Sequence, residues 1–378
     1  MILDQLKKLT IGDLEIKLPI IQGGMGVGIS LAGLASAVAN QGGVGTIAAA
    51  GIGMFEPDFN TNYLEANIRA LKKEIKKARK LTRGVLGVNI MVALSNYADL
   101  AKASIEEEID IIFSGAGLPF SLPGFLKKDS RTKLVPIVSS GRAAGIITRK
   151  WLDKFNYLPD AIVVEGPKAG GHLGFKEEDI DDPSYALEKL VPEVVAAIRS
   201  FVEQYKKPIP VIAAGGIYTG QDILKFIKLG ASGVQMGTRF VTTNECDPSD
   251  KFKQVYIDSG RDDVTIIKSP VGMPGRAIRN KFTEDVGRGE RKPFICPHHC
   301  IITCDFKNAP YCIALALINA QKGKMDEGFA FAGANAYRAD KIIPVKELIE
   351  NLQEEYRTAL DECRIADPTD CQATTLSQ

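Results

Sequence analysis

The chain has 378 residues, 45% of them hydrophobic and 25% charged, with Lys+Arg 47 against Asp+Glu 46 and a net charge of +1. That composition is globular, the near-neutral balance gives no field to hold nucleic acid or an anionic membrane, and no apolar stretch approaches the ~20 residues that span a bilayer. The N-terminus lacks the basic-then-apolar order of a secretory signal. Seven cysteines, four of them crowded between Cys296 and Cys312, are not a spread-out disulfide framework, so a reducing cytoplasm is the expected setting.

In chain order, eight short Val/Ile-rich runs predict buried parallel strands over residues 18–22, 43–47, 86–90, 109–113, 134–138, 161–164, 210–213 and 233–236. Small or polar residues follow each run. Between them, amphipathic periodicity predicts helices over 31–40, 63–80, 184–205 and 221–229, the second with a solvated lysine face at 72–80. Eight strands alternating with helices predict an α/β chain built on a (β/α)8 TIM barrel across residues 1–240. The rival, an open doubly wound sheet, fits less well with a count of eight and with glycines repeatedly placed after strand C-termini. Beyond Phe240 the rhythm stops. Residues 241–378 read as inserted or appended loops and helices packed on the barrel, with helices over 311–322 and 345–360, the cysteine segment between them and the barrel, and a frayed tail over the last ten residues.

The chemistry-bearing residues follow the strands. Ala213-Ala214-Gly215-Gly216-Ile217 comes after the seventh run and Gly237-Thr238-Arg239 after the eighth. Backbone N–H groups approach a phosphate closely where Cβ atoms are absent, and the loops after strands seven and eight of a barrel are a frequent phosphate site. Gln22-Gly23-Gly24-Met25-Gly26 follows the first run and leaves flat backbone room for a planar ring, while Asn89 ends the third with an amide suited to a heterocycle edge. Together they suggest a mononucleotide with an aromatic ring. Glu165-Gly166-Pro167-Lys168-Ala169-Gly170-Gly171-His172 follows the sixth run and carries one of only three histidines, placed where an imidazole can exchange a proton with a ligand.

This order of motifs, from Gln22-Gly23-Gly24-Met25 through Gly87-Val88-Asn89, Ala169-Gly170-Gly171-His172 and Ala213-Ala214-Gly215-Gly216-Ile217 to Gln235-Met236-Gly237-Thr238-Arg239-Phe240, resembles the nitronate monooxygenase (nitropropane dioxygenase) family, to which the flavin-dependent enoyl-ACP reductases are related. The resemblance spans about residues 18–279. It implies a barrel holding FMN noncovalently, with the Gly215-Gly216 and Gly237-Thr238 loops at the phosphate, Gln22, Gly23, Met25 and Asn89 at the ring, and His172 as the catalytic acid–base group. Gly24, Glu165, Gly170, Gly171 and Ala214 belong to the same loops and are counted with the cofactor site.

Nitronate oxidases commonly carry Gln-Gly-x-Glu before Ala-Gly-Gly-His, and the enoyl reductases Glu-Gly-x-Glu. Here Glu165 sides with the reductases, Lys168 replaces the glutamate of both, and Ser269-Pro270-Val271-Gly272-Met273-Pro274-Gly275-Arg276 resembles the oxidases. The expected reaction is FMN-dependent oxidation of alkyl nitronates by O2. The alternative is an NAD(P)H-dependent reductase of an enoyl thioester or quinone, and the non-enzymatic one is a flavoprotein that uses its cysteine segment as an interface. Expected partners are a small-molecule substrate, O2 or NAD(P)H and a second copy in a homodimer, with neither nucleic acid nor membrane. Finally, Cys296, Cys300, Cys304 and Cys312 place four thiols within seventeen residues, a candidate ligand set for zinc or an iron–sulfur cluster, although the usual Cys-x2-Cys spacing is missing.

Overall fold

All eight predicted runs form strands of one parallel sheet in the computed structural model, which describes residues 6–296 and 298–366: Ile20–Gln22, Gly45–Ala48, Leu86–Met91, Ile111–Gly115, Lys133–Val138, Ile162–Glu165, Val211–Ala214 and Gly233–Met236. From the second strand on, each pairs with the next in sequence, and the eighth returns to the first with Gln235 opposite Ile21. Between the first and second strands the ladder narrows to the Ile21–Val44 bridge, where Gln22 N–H donates to Val44 O at 2.9 Å and Val44 N–H to Ile20 O at 3.0 Å. Those bonds close the sheet into a barrel and exclude the open doubly wound alternative.

Alternate side chains point inward. Ile21, Val44, Ile111, Phe113, Val135, Val163 and Ile212 are fully buried in one interior cluster. An N-terminal hairpin, Leu9–Ile11 against Leu14–Ile16, adds Leu9, Ile11 and Ile16 to that cluster, beside residues at the starts of the strands. The barrel is thereby filled from its N-terminal end, and open space is left at the strand C-termini. Three-residue strands carry too little pattern to be recognised in advance.

The predicted outer helices are present as Ala32–Asn40, Tyr63–Leu81, Leu187–Tyr205 and Gly220–Lys228. Two more, Tyr97–Glu106 and Gly141–Phe155, follow the third and fifth strands, and a short 3-10 turn, Leu122–Phe125, stands in place of a helix after the fourth. The helix Gly141–Phe155 begins at Ser140, whose Oγ accepts from Ala143 N–H at 3.2 Å, and ends at Asn156 in the left-handed region with φ 50°. Its fully buried Trp151 donates through Nε1 to Pro119 O at 2.9 Å. Among the described residues no helix is long and apolar enough to cross a membrane.

The last helix, Val345–Ala366, packs against Gly220–Lys228 and also touches Ala32–Asn40, so it takes the eighth helical place in the ring. Gly220 N–H donates to its Glu355 Oε2 at 2.7 Å. Residues 241–344 therefore leave the barrel after the eighth strand and return to it before the closing helix. The two ends of this stretch meet at a parallel Thr243–Ile343 bridge, and Val345 N–H is capped by Glu245 Oε2 at 2.9 Å. The stretch holds Asp250–Asp258, a β-hairpin of Val264–Lys268 and Pro274–Ile278, Lys281–Gly287 and Ile313–Gln321. The hairpin was not anticipated. The expected frayed tail lies outside the described residues.

Candidate active site at the barrel mouth

A cavity of about 680 Å³ opens where the strands end, within the range of cofactor and substrate sites. One wall is the loop after the first strand. Gly23 N–H bonds Met236 O at 2.9 Å, and Met25 N–H bonds Ser30 Oγ at 2.9 Å, which stretches Gly23-Gly24-Met25 over the mouth. A Cβ on Gly24 would lie 2.3 Å from Asn89 Cβ, so only glycine lets this loop rest on the residue that ends the third strand.

Another part of the wall is the pair of glycines after the seventh strand, two places round the barrel from the first. Gly215 and Gly216 have φ of 95° and 84°, a left-handed pair that side chains resist. A Cβ on Gly215 would meet Gly166 O at 2.8 Å, and one on Gly216 would meet Lys168 Cβ at 2.8 Å. The loop is held by Asn335 Nδ2, which donates to Gly216 O at 2.6 Å, and Gly333 N–H donates to Thr238 Oγ1 at 2.8 Å. Gly237 and Thr238 complete this side, and the exposed Lys168 adds a cation.

Between these walls stands His172. The two-residue strand Gly171–His172 pairs antiparallel with the Pro274–Ile278 strand, placing His172 opposite Gly275. His172 Nε2 is 2.8 Å from Ser269 Oγ, and its ring meets Phe331 edge-on at 5.0 Å. Phe331 is held in turn by Tyr256, whose hydroxyl donates to its carbonyl. Burial lowers the imidazole pKa from 6.5 to about 4, so the ring is neutral at physiological pH. Glu165, at the end of the sixth strand, is pushed the other way by the same cause, from 4.5 to about 7.

Gly23, Gly24, Met25, Asn89, Glu165, Gly170, Gly171, His172, Ala214, Gly215, Gly216, Gly237 and Thr238 all line this one cavity. Gln22 stands apart. It is fully buried beneath the loop, its Nε2 donating to Gly23 O and its Oε1 accepting from Thr46 N–H at 2.9 Å, so its amide shapes the turn and is spent on backbone. Arg239 is likewise outside the lining and lies over the Tyr218 ring at 4.6 Å. Sequence reasoning missed Ser269 as the partner of His172, and the stretch Phe331–Asn335 as the wall behind the glycine pair. The only advance signal for the second was the run of small residues in Phe329-Ala330-Phe331-Ala332-Gly333-Ala334-Asn335.

Cys296, Cys300, Cys304 and Cys312 do converge, lining a second pocket of about 230 Å³. Among the described residues, however, no three His, Cys, Asp or Glu side chains stand together closely enough to hold a metal ion. Neither of the two expected possibilities, a zinc site or an iron–sulfur cluster, is shown by these thiols as they stand.

The fold is a parallel (β/α)8 barrel whose principal cavity opens at the strand C-termini. A model of the nitronate monooxygenase family matches residues 7–355, and the chain belongs to that family as a flavin oxidoreductase. A probable nitronate monooxygenase of Staphylococcus aureus (strain Newman) is 31% identical over 308 residues, covering 73% of this chain and 79% of that protein. Among solved structures, FabK from Thermotoga maritima superposes with a TM-score of 0.72 at 29% identity, covering 93% of this chain and 96% of the other. A nitroalkane oxidase from Streptomyces ansochromogenes shares the fold with a TM-score of 0.71 at 22% identity, covering 92% and 98%. Family membership implies FMN as the cofactor and a small molecule as the substrate.

Proposed function

We propose that this chain oxidises alkyl nitronates, and the nitroalkanes from which they form, in an FMN-dependent reaction with O2, with His172 as the acid–base group. The observation that carries this reading is the imidazole kept uncharged by burial in the cavity wall and steadied by Ser269. A neutral nitroalkane must lose a proton from its α-carbon, and a neutral imidazole is a competent base for that step. In the tautomer that donates Nε2–H to Ser269 Oγ, the lone pair resides on Nδ1, and that hydrogen bond strengthens as the ring takes up charge. Lys168 at the mouth gives an anionic nitronate a favourable approach.

The residues present suit FMN. The left-handed Gly215-Gly216 pair, with Gly237 and Thr238, would hold the phosphate in a cradle that a Cβ would fill, and Gly23, Gly24, Met25 and Asn89 would line the ring. Bound there, FMN supplies the two-electron redox chemistry that no side chain of this site can. Gly216→Leu is expected to weaken FMN binding at least about tenfold, because the new side chain must both adopt a left-handed backbone and displace Lys168. Fluorescence titration of the flavin-free protein measures this. Unchanged affinity would remove the loop from the cofactor site.

A second reading, NAD(P)H-dependent reduction of an enoyl thioester or quinone, is favoured by Glu165 and by the 29% identity to FabK. Anaerobic mixing of the purified protein with propane-2-nitronate, NADH or NADPH separates the two. Bleaching of the flavin by the nitronate alone supports the oxidase, and bleaching by a nicotinamide alone assigns the reductase.

A further inference from the structure

We propose that Cys296, Cys300, Cys304 and Cys312 ligate a [4Fe–4S] cluster in the pocket beside the flavin cavity. The four residues come from two pieces of chain. Three lie in a non-helical loop, and Cys312 is the residue that caps the helix Ile313–Gln321. All four are free thiols and all four face the same space of about 230 Å³. They have not paired as disulfides. Four thiols lining one chamber are a ligand set of the kind an iron–sulfur cluster takes.

The pocket is built in other respects. The loop is stapled to the segment after the third barrel strand, Ser95 N–H donating to Cys300 O at 3.1 Å and Ile302 N–H to Ala93 O at 2.9 Å. The remaining lining is mostly apolar, with Ile313 buried, Phe294 and Phe306 half-buried and Ile302 exposed. Cys300 borders both spaces, which sets a one-electron centre against the wall of the redox cavity.

The inference does not rest on the substrate or on FMN, since iron is measured in protein with or without flavin. Full-length protein purified anaerobically, and reconstituted with Fe²⁺ and sulfide, is expected to contain about four iron and about four acid-labile sulfide per chain. It should show a broad visible absorption that dithionite bleaches and an electron paramagnetic resonance signal in the reduced state. Cys304→Ser and Cys312→Ser should each lose most of the iron while keeping the wild-type FMN content, and Cys246→Ser, a buried thiol elsewhere, should keep both. Protein with less than about half an iron per chain after reconstitution overturns the proposal, as does stoichiometric zinc. Because the wild-type measurement needs no variant, a misfolded substitution leaves the test intact.

Discussion

His172→Ala is expected to keep its FMN and its fold while losing about 10²–10⁴-fold in turnover of a neutral nitroalkane, the range that a positioned acid–base group contributes. The side chain stands in the cavity wall, and its one hydrogen-bond partner is Ser269. Truncation therefore removes the proposed base while leaving the backbone of the neighbouring glycine cradle in place. The distinguishing comparison is between substrates. A preformed nitronate has already lost its proton, so its oxidation should fall far less than that of the parent nitroalkane. The pH profile supplies a second readout. Because burial holds the imidazole pKa near 4, well below the ordinary 6.5, wild-type activity on the nitroalkane should persist on acidification from pH 7 through pH 5 and fail only as the ring protonates near about 4. Equal losses on nitronate and nitroalkane would reassign His172 to binding. Full activity on both would remove it from the chemistry. Ser269→Ala, which leaves the ring present but unsteadied, should lose less than His172→Ala and shift the acid limb of the profile.

Flavin-free Glu165→Gln should be more stable than wild type at pH 8 by about 1–3 kcal/mol, with the advantage vanishing at about pH 4.5 and below. The sign follows from proton counting. Burial raises the folded pKa to about 7, against 4.5 in the unfolded chain, so the native state binds more protons across that window. Stability is therefore fully present below pH 4.5 and is lost as pH rises through 7, where a buried carboxylate must ionise against the cost of leaving water. Glutamine is nearly isosteric and has no charge to bury. Water in the cavity screens part of the effect, which sets the lower bound. Urea unfolding of both proteins at pH 4.5 and pH 8 measures it. A stability difference that does not change with pH would mean that Glu165 is solvated and ionises normally, and would take away its distinction from an ordinary surface carboxylate.

Much of the site could be read from the residues in order. Parallel strands buried on both faces must be continuous Val/Ile runs, and loops that carry ligands at their ends must be small, so the eight runs and the glycines after them marked the barrel and its mouth together. Gly215-Gly216 and Gly170-Gly171-His172 were legible for that reason. Gln22 shows the limit. The resemblance placed it with Gly23 at the flavin ring, yet its side chain is outside the cavity lining and its amide is consumed by Gly23 O and Thr46 N–H. Sequence neighbours at a strand end alternate between two faces, and adjacency alone does not say which face holds the cavity.

By itself, the sequence determined the barrel, its strand order, the family and the loops that line the cavity, because each of these is written in a local period or a contiguous motif. The tertiary structure alone decided everything that depends on meetings between distant segments. It paired Ser269 with His172 and brought Phe331, Gly333 and Asn335 from the far side of the chain to brace the mouth. It also returned Val345–Ala366 to the ring in the place that follows the eighth strand, after a stretch of about a hundred residues whose ends meet at Thr243 and Ile343. An amphipathic helix announces that it has an apolar face to bury, but not which neighbour will bury it. That choice is made by the gap left between Gly220–Lys228 and Ala32–Asn40 once the other strands and helices have packed.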